Sequence, residues 1–490
     1  MGDRVRAIQF YQQAQAIKDG KQPSENPSQA YQLLSTSVVT DPTFAMGWYE
    51  LGNANGDNFW RSSAVAAIRR ALELGDGTDA GDLSPEFRAK AISNLAHNLH
   101  HLGRNVEAKN LALKALKMDD KLANAWLTLS LVQNVMGQLG NAEISATRAM
   151  SLGRTPAIEI GLAFSQMYQG KYREGLKHFE ARYEYALRHF LSYPYPQWHG
   201  ESDKIVAVMT DQGMGDVISF ARFLPAVIER SKFVHIRVHP ELVKLLKVQL
   251  QKYQNISIEP VPCPYPPADC WTTFMSIPTA LDLTDEEIRN APPLPCPDFR
   301  TDASWKSPDR DFHIAVTWTG SNANWINGHR SFPMEQLLEL YRVPGIQLYS
   351  LQIDAGQPGE PSMQIHQTGA ATLIRDMRPY VRDITDTMAV LKEMDLVVCC
   401  ESILGHIAGL MEKECFIPYS YNGGDFRLGR NEDGALWYPK HRIFKQGSEA
   451  KWDLVFERII IAIRQKIEAK RQWQKKASTG ATASVLTSSA

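Results

Sequence analysis

Ile205-Val206-Ala207-Val208-Met209-Thr210-Asp211-Gln212-Gly213-Met214-Gly215-Asp216-Val217 changes character halfway. An apolar run rich in β-branched residues gives way to a Gly-x-Gly turn, after which Phe220, Phe223, Leu224 and Val227 recur at helical spacing. That pattern reads as strand, tight turn and helix. Gly213 and Gly215 allow the backbone to turn sharply and to approach a ligand, and the helix start beyond them carries partial positive charge. Asp216 stands at the mouth of the turn. Its carboxylate can accept a proton from a bound hydroxyl, or it can simply cap the helix; the stretch alone allows both. A dinucleotide fingerprint is excluded, because Ile218 occupies the third glycine position.

The chain has 490 residues, with 53 Lys and Arg against 54 Asp and Glu. That length has room for several domains with full cores. Near-neutral composition without a long basic block gives neither nucleic acid nor an anionic membrane a special claim as partner. No apolar run is long enough to span a bilayer. The first residues lack an apolar signal core, and Arg6 stands where a myristoylation motif wants Ser or Thr. Cys263, Cys270, Cys296, Cys399, Cys400 and Cys415 lack zinc-ligand spacing and read as buried thiols in a reducing compartment. These features predict a soluble, cytoplasmic chain.

Residues before about 190 repeat. Ala30 and Ala64, Ser37 and Ala71, then Ala108 and Ala142, Ala115 and Ala149 recur at the roughly 34-residue period of tetratricopeptide repeats. Trp48, Leu51 and Gly52, then Leu95, Ala96 and Gly103, then Trp126, Leu129 and Gly137 fall at the signature offsets. A weaker last unit holds Gly161, Gly170, Gly175 and Phe179. Stacked helix pairs of this kind commonly hold an extended peptide. They serve equally as a dimer handle or rigid spacer, so a homodimer stays open. Asn55, Asn94, Asn98, Asn124 and Asn134 fall near inner-helix positions suited to a peptide backbone, or are ordinary surface residues. His97 and His101 have i, i+4 spacing but no third ligand nearby, so no metal site is expected.

Tyr183 to Ser202, rich in aromatics and proline, predicts a packed connector. Beyond it, strands at Phe233–Val238 and Ile256–Val261 with a helix at Glu241–Leu250 continue a βαβαβ run, hence a parallel sheet. Proline-rich residues from Cys263 to Pro308 close that half and link it to a second. There the pattern predicts strands at His313–Trp318, Ile346–Leu351, Leu396–Cys400 and Cys415–Tyr419. Ser331 is expected to cap a helix opened by Arg330-Ser331-Phe332-Pro333. The fold class expected is α + α/β: a repeat solenoid over 1–190, then two Rossmann-like halves over 191–300 and 301–475. Lys451–Arg471 reads as an amphipathic terminal helix, and 476–490 as a disordered tail. Asp216, Arg330 and Glu401-Ser402 all follow strands, at the carboxyl ends where ligands gather in such sheets.

With these pieces placed, the chain resembles bacterial proteins that join tetratricopeptide repeats to a glycosyltransferase of the GT-B fold. Its catalytic part is similar to the heptosyltransferases, with kinship to protein O-linked N-acetylglucosamine transferases. Asp211-Gln212-Gly213-Met214-Gly215-Asp216 looks like the family's Glu-Gln-Gly-Leu-Gly-Asp motif, which implies Asp216 as general base, with Gln212, Gly213 and Gly215 on the acceptor-side turn. Trp318, Gly320, Arg330 and Ser331 match a second motif, with Arg330 where a heptosyltransferase lysine meets the donor's charged groups. Glu401-Ser402-Ile403-Leu404-Gly405-His406 stands where the family has Asp-Thr, small residues and His. The changes keep the chemistry and alter the reach. Asp425-Phe426-Arg427, Gly429-Arg430 and Trp437-Tyr438-Pro439 resemble the nucleotide-side segment. The resemblance thus implies donor binding by Trp318, Gly320, Arg330, Ser331, Glu401, Ser402, His406, Asp425 and Arg427.

Such a transferase needs no divalent metal and no cofactor beyond its nucleotide-sugar co-substrate, and inversion is implied by the resemblance. Asp309-Arg310-Asp311 imitates a metal-binding Asp-x-Asp, but precedes its strand and reads as surface. The main expectation is a glycosyltransferase whose repeats present a protein acceptor. A glycan or lipid-linked sugar as acceptor is the first alternative, and a non-catalytic scaffold with a decayed transferase the second.

Overall fold

The computed structural model describes residues 3–24, 26, 28–75, 83–185, 193–320, 327–354, 356–422, 424–429 and 436–486, with the side chains of 185, 329 and 475 onward excepted. The loop residues 321–326, Arg430 and the last four residues lie outside the described residues. The chain divides into one unit of Met1–Gln169 with Lys177–Arg188, and another of Gly170–Leu176 with His189–Ala490.

The first unit is built of helix pairs: Arg4–Lys18 with Gln29–Thr40, Ala45–Asp57 with Arg61–Leu74, Pro85–His101 with Asn105–Met118, and Ala123–Val135 with Leu139–Leu152. Small residues set the distance between partners. Ala64, Ala71, Ala108, Ala115, Ala142 and Ala149 are fully buried, and a Cβ on Gly52 would lie 2.5 Å from Ile68. The turn inside a pair needs one left-handed residue, supplied by Gly103 (φ 76°) and Gly137 (φ 74°). In the Ala45–Leu74 pair Phe59 takes that place at φ 62°. Trp48 and Trp126 occupy equivalent places, their indole N–H groups donating to Pro42 O and Asp120 O. Three of the five asparagines bond within the solenoid: Asn94 donates to Asn53, Asn98 accepts from Arg61, and Asn134 donates to Ser165. His97 is neutral, its pKa pushed down to about 3, chiefly by burial, and its ring meets His101 at 3.1 Å.

The second unit holds two all-parallel sheets. Strands β1 (Ile205–Met209), β2 (Phe233–Val238), β3 (Ile256–Pro260) and β4 (Cys270–Thr273) form the first, in the order β3-β2-β1-β4. The second contains β5 (Phe312–Thr317), β6 (Ile346–Ser350), β7 (Ile374–Asp376), β8 (Leu396–Cys399), β9 (Cys415–Tyr419) and β10 (His441–Lys445), ordered β10-β9-β8-β5-β6-β7. Central strands buried on both faces, such as β5 and β8, are the continuous apolar runs of the sequence.

Several expectations are corrected. Gly170–Leu176 groups with the α/β unit rather than the solenoid, because Tyr172 is fully buried against Trp437 (5.7 Å) and Phe426. Ser331 caps no helix. Pro333 disfavours helical backbone at the residue before it, so a one-turn Asn327–Arg330 helix ends first and a 3₁₀ segment starts only at Met334. The terminal helix runs Trp452–Leu486, past Arg471 and into the expected tail: Glu468-Ala469-Lys470-Arg471-Gln472 are strong helix formers, and Ala477, Ala481 and Ala483 follow. Cys296 is exposed and Cys263 half-buried, so the six thiols are not uniformly buried. In the connector, Trp198 is buried and pairs its backbone N–H with Trp271 O at 2.7 Å. Among the described residues no helix is long and apolar enough to cross a membrane.

Candidate functional site

The helix Met214–Phe220 begins at Gly213, and Asp216 sits in its first turn. Asp216 Oδ2 accepts the Gly213 N–H at 3.1 Å, closing the turn from inside the helix rather than from the cap position. Neither Gly213 nor Gly215 has positive φ. What Gly215 provides is room: a Cβ there would lie 2.4 Å from the His406 ring, which belongs to the helix Ile403–Leu410 after β8. The expected approach to a ligand is thus, at Gly215, an approach to the second sheet's own helix. Gly409 does the same for Tyr438, whose ring would meet a Cβ at 2.2 Å. The Gln212 carbonyl is fixed by His239 Nε2 at 2.9 Å.

Across this contact lies a buried polar cluster. Arg427 donates from Nε and Nη2 to the two oxygens of Asp425, each at 2.8 Å. Its Nη1 reaches Asp216 Oδ1 at 2.8 Å and Ser219 Oγ at 2.6 Å, joining the two sheets. The Arg427 side chain is 7% exposed and that of Asp216 25%. Burial pulls the guanidinium's pKa down, but Asp425 and Asp216 outweigh it and hold the group charged. Burial likewise pushes the Asp425 carboxyl up, and the Arg427 guanidinium more than reverses it. His406 Nδ1 hydrogen-bonds the Tyr438 hydroxyl at 2.8 Å, and burial raises that phenol to about 12. Arg222 stacks on Trp437 and donates to the carbonyls of Ser219 and Ala291. A second tie between the sheets, Lys244 to Asp383 at 2.9 Å, lies on the surface.

Arg330 approaches the backbone of Gly320, where a Cβ would lie 2.6 Å from its guanidinium. It donates weakly to Asn327 Oδ1 at 3.3 Å, and among the described residues no carboxylate stands within ion-pair distance of it. Asn327 also organises the turn, accepting from Gly320 N and donating to Thr319, whose hydroxyl meets Ser331 Oγ at 2.8 Å. Ser402 starts the Ile403–Leu410 helix, its hydroxyl 3.5 Å from Thr317, and Glu401 beside it is buried.

The candidate residues therefore separate. Asp216, His406, Asp425 and Arg427 form one connected cluster, with Gly215 packed against it. Arg330, Gly320 and Ser331 form a neighbouring turn after β5, and its charge reaches the cluster, helping Arg427 to disfavour protonation of His406. Trp318 points into the core, 1% exposed with its indole N–H on Gln364 at 2.7 Å. Ser219 and Arg222 carry no sequence signal of their own, and Tyr438 is marked only within the Trp437-Tyr438-Pro439 segment. Ser219 stands three residues beyond Asp216, hence on the same helix face, which was the available signal. Asp309 and Asp311 are highly exposed. Two cavities of about 490 and 660 Å³ lie elsewhere, between β9, β10 and the terminal helix. Among the described residues no group of three or more His, Cys, Asp or Glu could hold a metal ion.

His406 and His441 add a pH dependence. Burial pushes them down to about 3 and about 4 from the usual 6.5, with Arg427 acting with burial at His406 and Asp425 against it. The unfolded chain takes up a proton on each near pH 6.5 that the folded chain refuses. Stability is therefore full above that pH and falls as pH drops toward the folded values. Between pH 7.5 and 5 we expect a loss on the order of 1–2 kcal/mol per histidine, read as a lower melting temperature. An unchanged melting temperature across that range would contradict their burial as neutral groups.

No protein-family model matches the chain. It is 22% identical over 522 residues to Protein FlbA of Caulobacter vibrioides (strain ATCC 19089 / CIP 103742 / CB 15), covering 89% of this chain and 87% of that one. Among solved structures it is similar to MamA (18% identity, 32% of this chain and 86% of that one, TM-score 0.25). It is also similar to YrrB, described as a TPR protein with an unusual peptide-binding site (13%, 38% and 90%, TM-score 0.27). A third likeness is to TTC0263, a thermophilic TPR protein in Thermus thermophilus (16%, 37% and 93%, TM-score 0.30). Likenesses at this level assign no activity. From its own helix pairs, the first unit is a solenoid of tetratricopeptide type, and it is followed in the chain by two parallel α/β sheets.

Proposed function

We propose that the α/β unit is a GT-B glycosyltransferase, similar to the heptosyltransferases, that moves a sugar from a nucleotide-sugar donor to an acceptor hydroxyl. The observation that carries the reading is the meeting of Asp216, at the carboxyl end of β1, with the Arg427 cluster behind the carboxyl ends of β8 and β9. Ligands gather at such ends in parallel sheets. Asp216 takes the proton of the attacking hydroxyl. Arg330, a guanidinium with no acidic partner among the described residues, neutralises the departing diphosphate, assisted by the start of the Ile403–Leu410 helix. Direct displacement by the acceptor inverts the sugar carbon, and this donor set works without a divalent metal. Among acceptors we favour a protein held by the helix-pair repeats, because such solenoids commonly bind extended peptides.

The Asp216–Arg427 ion pair favours one second reading, a non-catalytic scaffold, because it occupies an oxygen that a base must free. Arg330→Ala bears on the donor site in either case. Loss of a charge-assisted hydrogen bond to the diphosphate should weaken donor binding by roughly 1.5–3 kcal/mol. Isothermal titration with the cognate donor measures it, and an unchanged dissociation constant would put Arg330 outside the site.

A further inference from the structure

The Arg427 guanidinium distributes its N–H groups unevenly. Nε and Nη2 grip Asp425, two residues away on the same segment, and only Nη1 crosses to the first sheet. There it lies on Asp216 Oδ1, while Oδ2 is already engaged by Gly213 N–H. Oδ1 is thus the oxygen best placed to take an acceptor's proton, and it is covered. Asp216 remains a quarter exposed whereas Arg427 is almost wholly buried, so the carboxylate has a route to solvent that its partner lacks.

We propose that Nη1 of Arg427 is a donor-operated latch on Asp216. This rests on the glycosyltransferase reading and adds an order to it. Without donor, Nη1 holds Oδ1 and the base is silent. An anionic diphosphate arriving beside Arg330 offers Nη1 a phosphate oxygen in place of the carboxylate, which guanidinium accepts readily. The two bonds to Asp425 stay, so Arg427 exchanges one anion for another and no state strands a buried charge. Asp216 Oδ1 is then open to the acceptor hydroxyl. Arg427 acts in this as a positioning residue, through Asp216. Ser219 is the latch's rest, since its hydroxyl receives the same Nη1.

The test is carboxyl labelling of the full chain with a carbodiimide and an amine, read at Asp216 by peptide mass spectrometry. The probes are inorganic pyrophosphate and a set of nucleoside diphosphates, each checked for binding by thermal shift. A diphosphate that raises the melting temperature should raise Asp216 labelling several-fold. Ser219→Ala keeps both charges and removes the hydroxyl that shares Nη1 with Asp216, so it should lower labelling without ligand and leave the diphosphate-saturated level unchanged. A diphosphate that binds yet leaves Asp216 labelling the same or lower overturns the latch and leaves the donor site standing. If no diphosphate raises the melting temperature, the donor reading fails and the latch fails with it.

Discussion

Asp216→Asn is expected to abolish transfer while leaving donor binding nearly intact. The amide keeps the shape of the carboxylate, and its oxygen can still accept the Gly213 N–H that closes the turn. What it loses is the charge that meets Arg427 and the ability to take a proton, and a general base typically contributes about 10²–10⁴-fold in rate. Acceptor glycosylation at saturating donor measures the loss, with titration calorimetry as the control for binding. Activity within roughly threefold of wild type would remove Asp216 from the chemistry, because no general base is dispensable at that level.

The largest effect on stability is expected from Arg427→Ala. Asp425 is 13% exposed and takes two of the arginine's hydrogen bonds. Without the guanidinium its charge stays buried beside a neutral His406. Removing one partner of such a pair typically costs about 3–5 kcal/mol, whereas replacing both is far milder. Arg427→Ala should therefore lower the urea midpoint strongly, and adding Asp425→Ala should recover much of it. A single variant as stable as wild type, or a double variant no better than the single, would contradict the buried pair.

The elements carrying these residues were largely legible in the sequence. Val206 to Met209, Phe233 to Val238 and Cys415 to Tyr419 are strands because an apolar, β-branched run between turn residues has few other stable homes. The alanine and glycine spacing of the helix pairs was equally readable, since close helix packing admits only small side chains there. Tertiary partners were less legible. Nothing local to Gly215 says that its missing Cβ makes space for His406, far along the chain. Nothing around Asp216 shows that Arg427 will cover one of its oxygens. Strand alternation in step with Ile314 and Val316 turns the Trp318 ring into the core, which its place beside Gly320 does not reveal. Ser331 failed as a cap because a proline two residues on overrules a local side-chain preference. Local rules place elements; contacts distant in sequence decide what each side chain does.

On the proposed function, this chain binds and uses a nucleotide sugar. The most direct measurement is release of nucleoside diphosphate by the full-length protein from a panel of nucleotide sugars, with chelator present, beside Asp216→Asn and Arg330→Ala. Release from one base and sugar class, lost in Asp216→Asn and weakened in Arg330→Ala, is the result predicted here. A chain that releases diphosphate from none of them and gains no thermal stability from any would contradict the account, since a ligand bound by the native state alone raises its melting temperature.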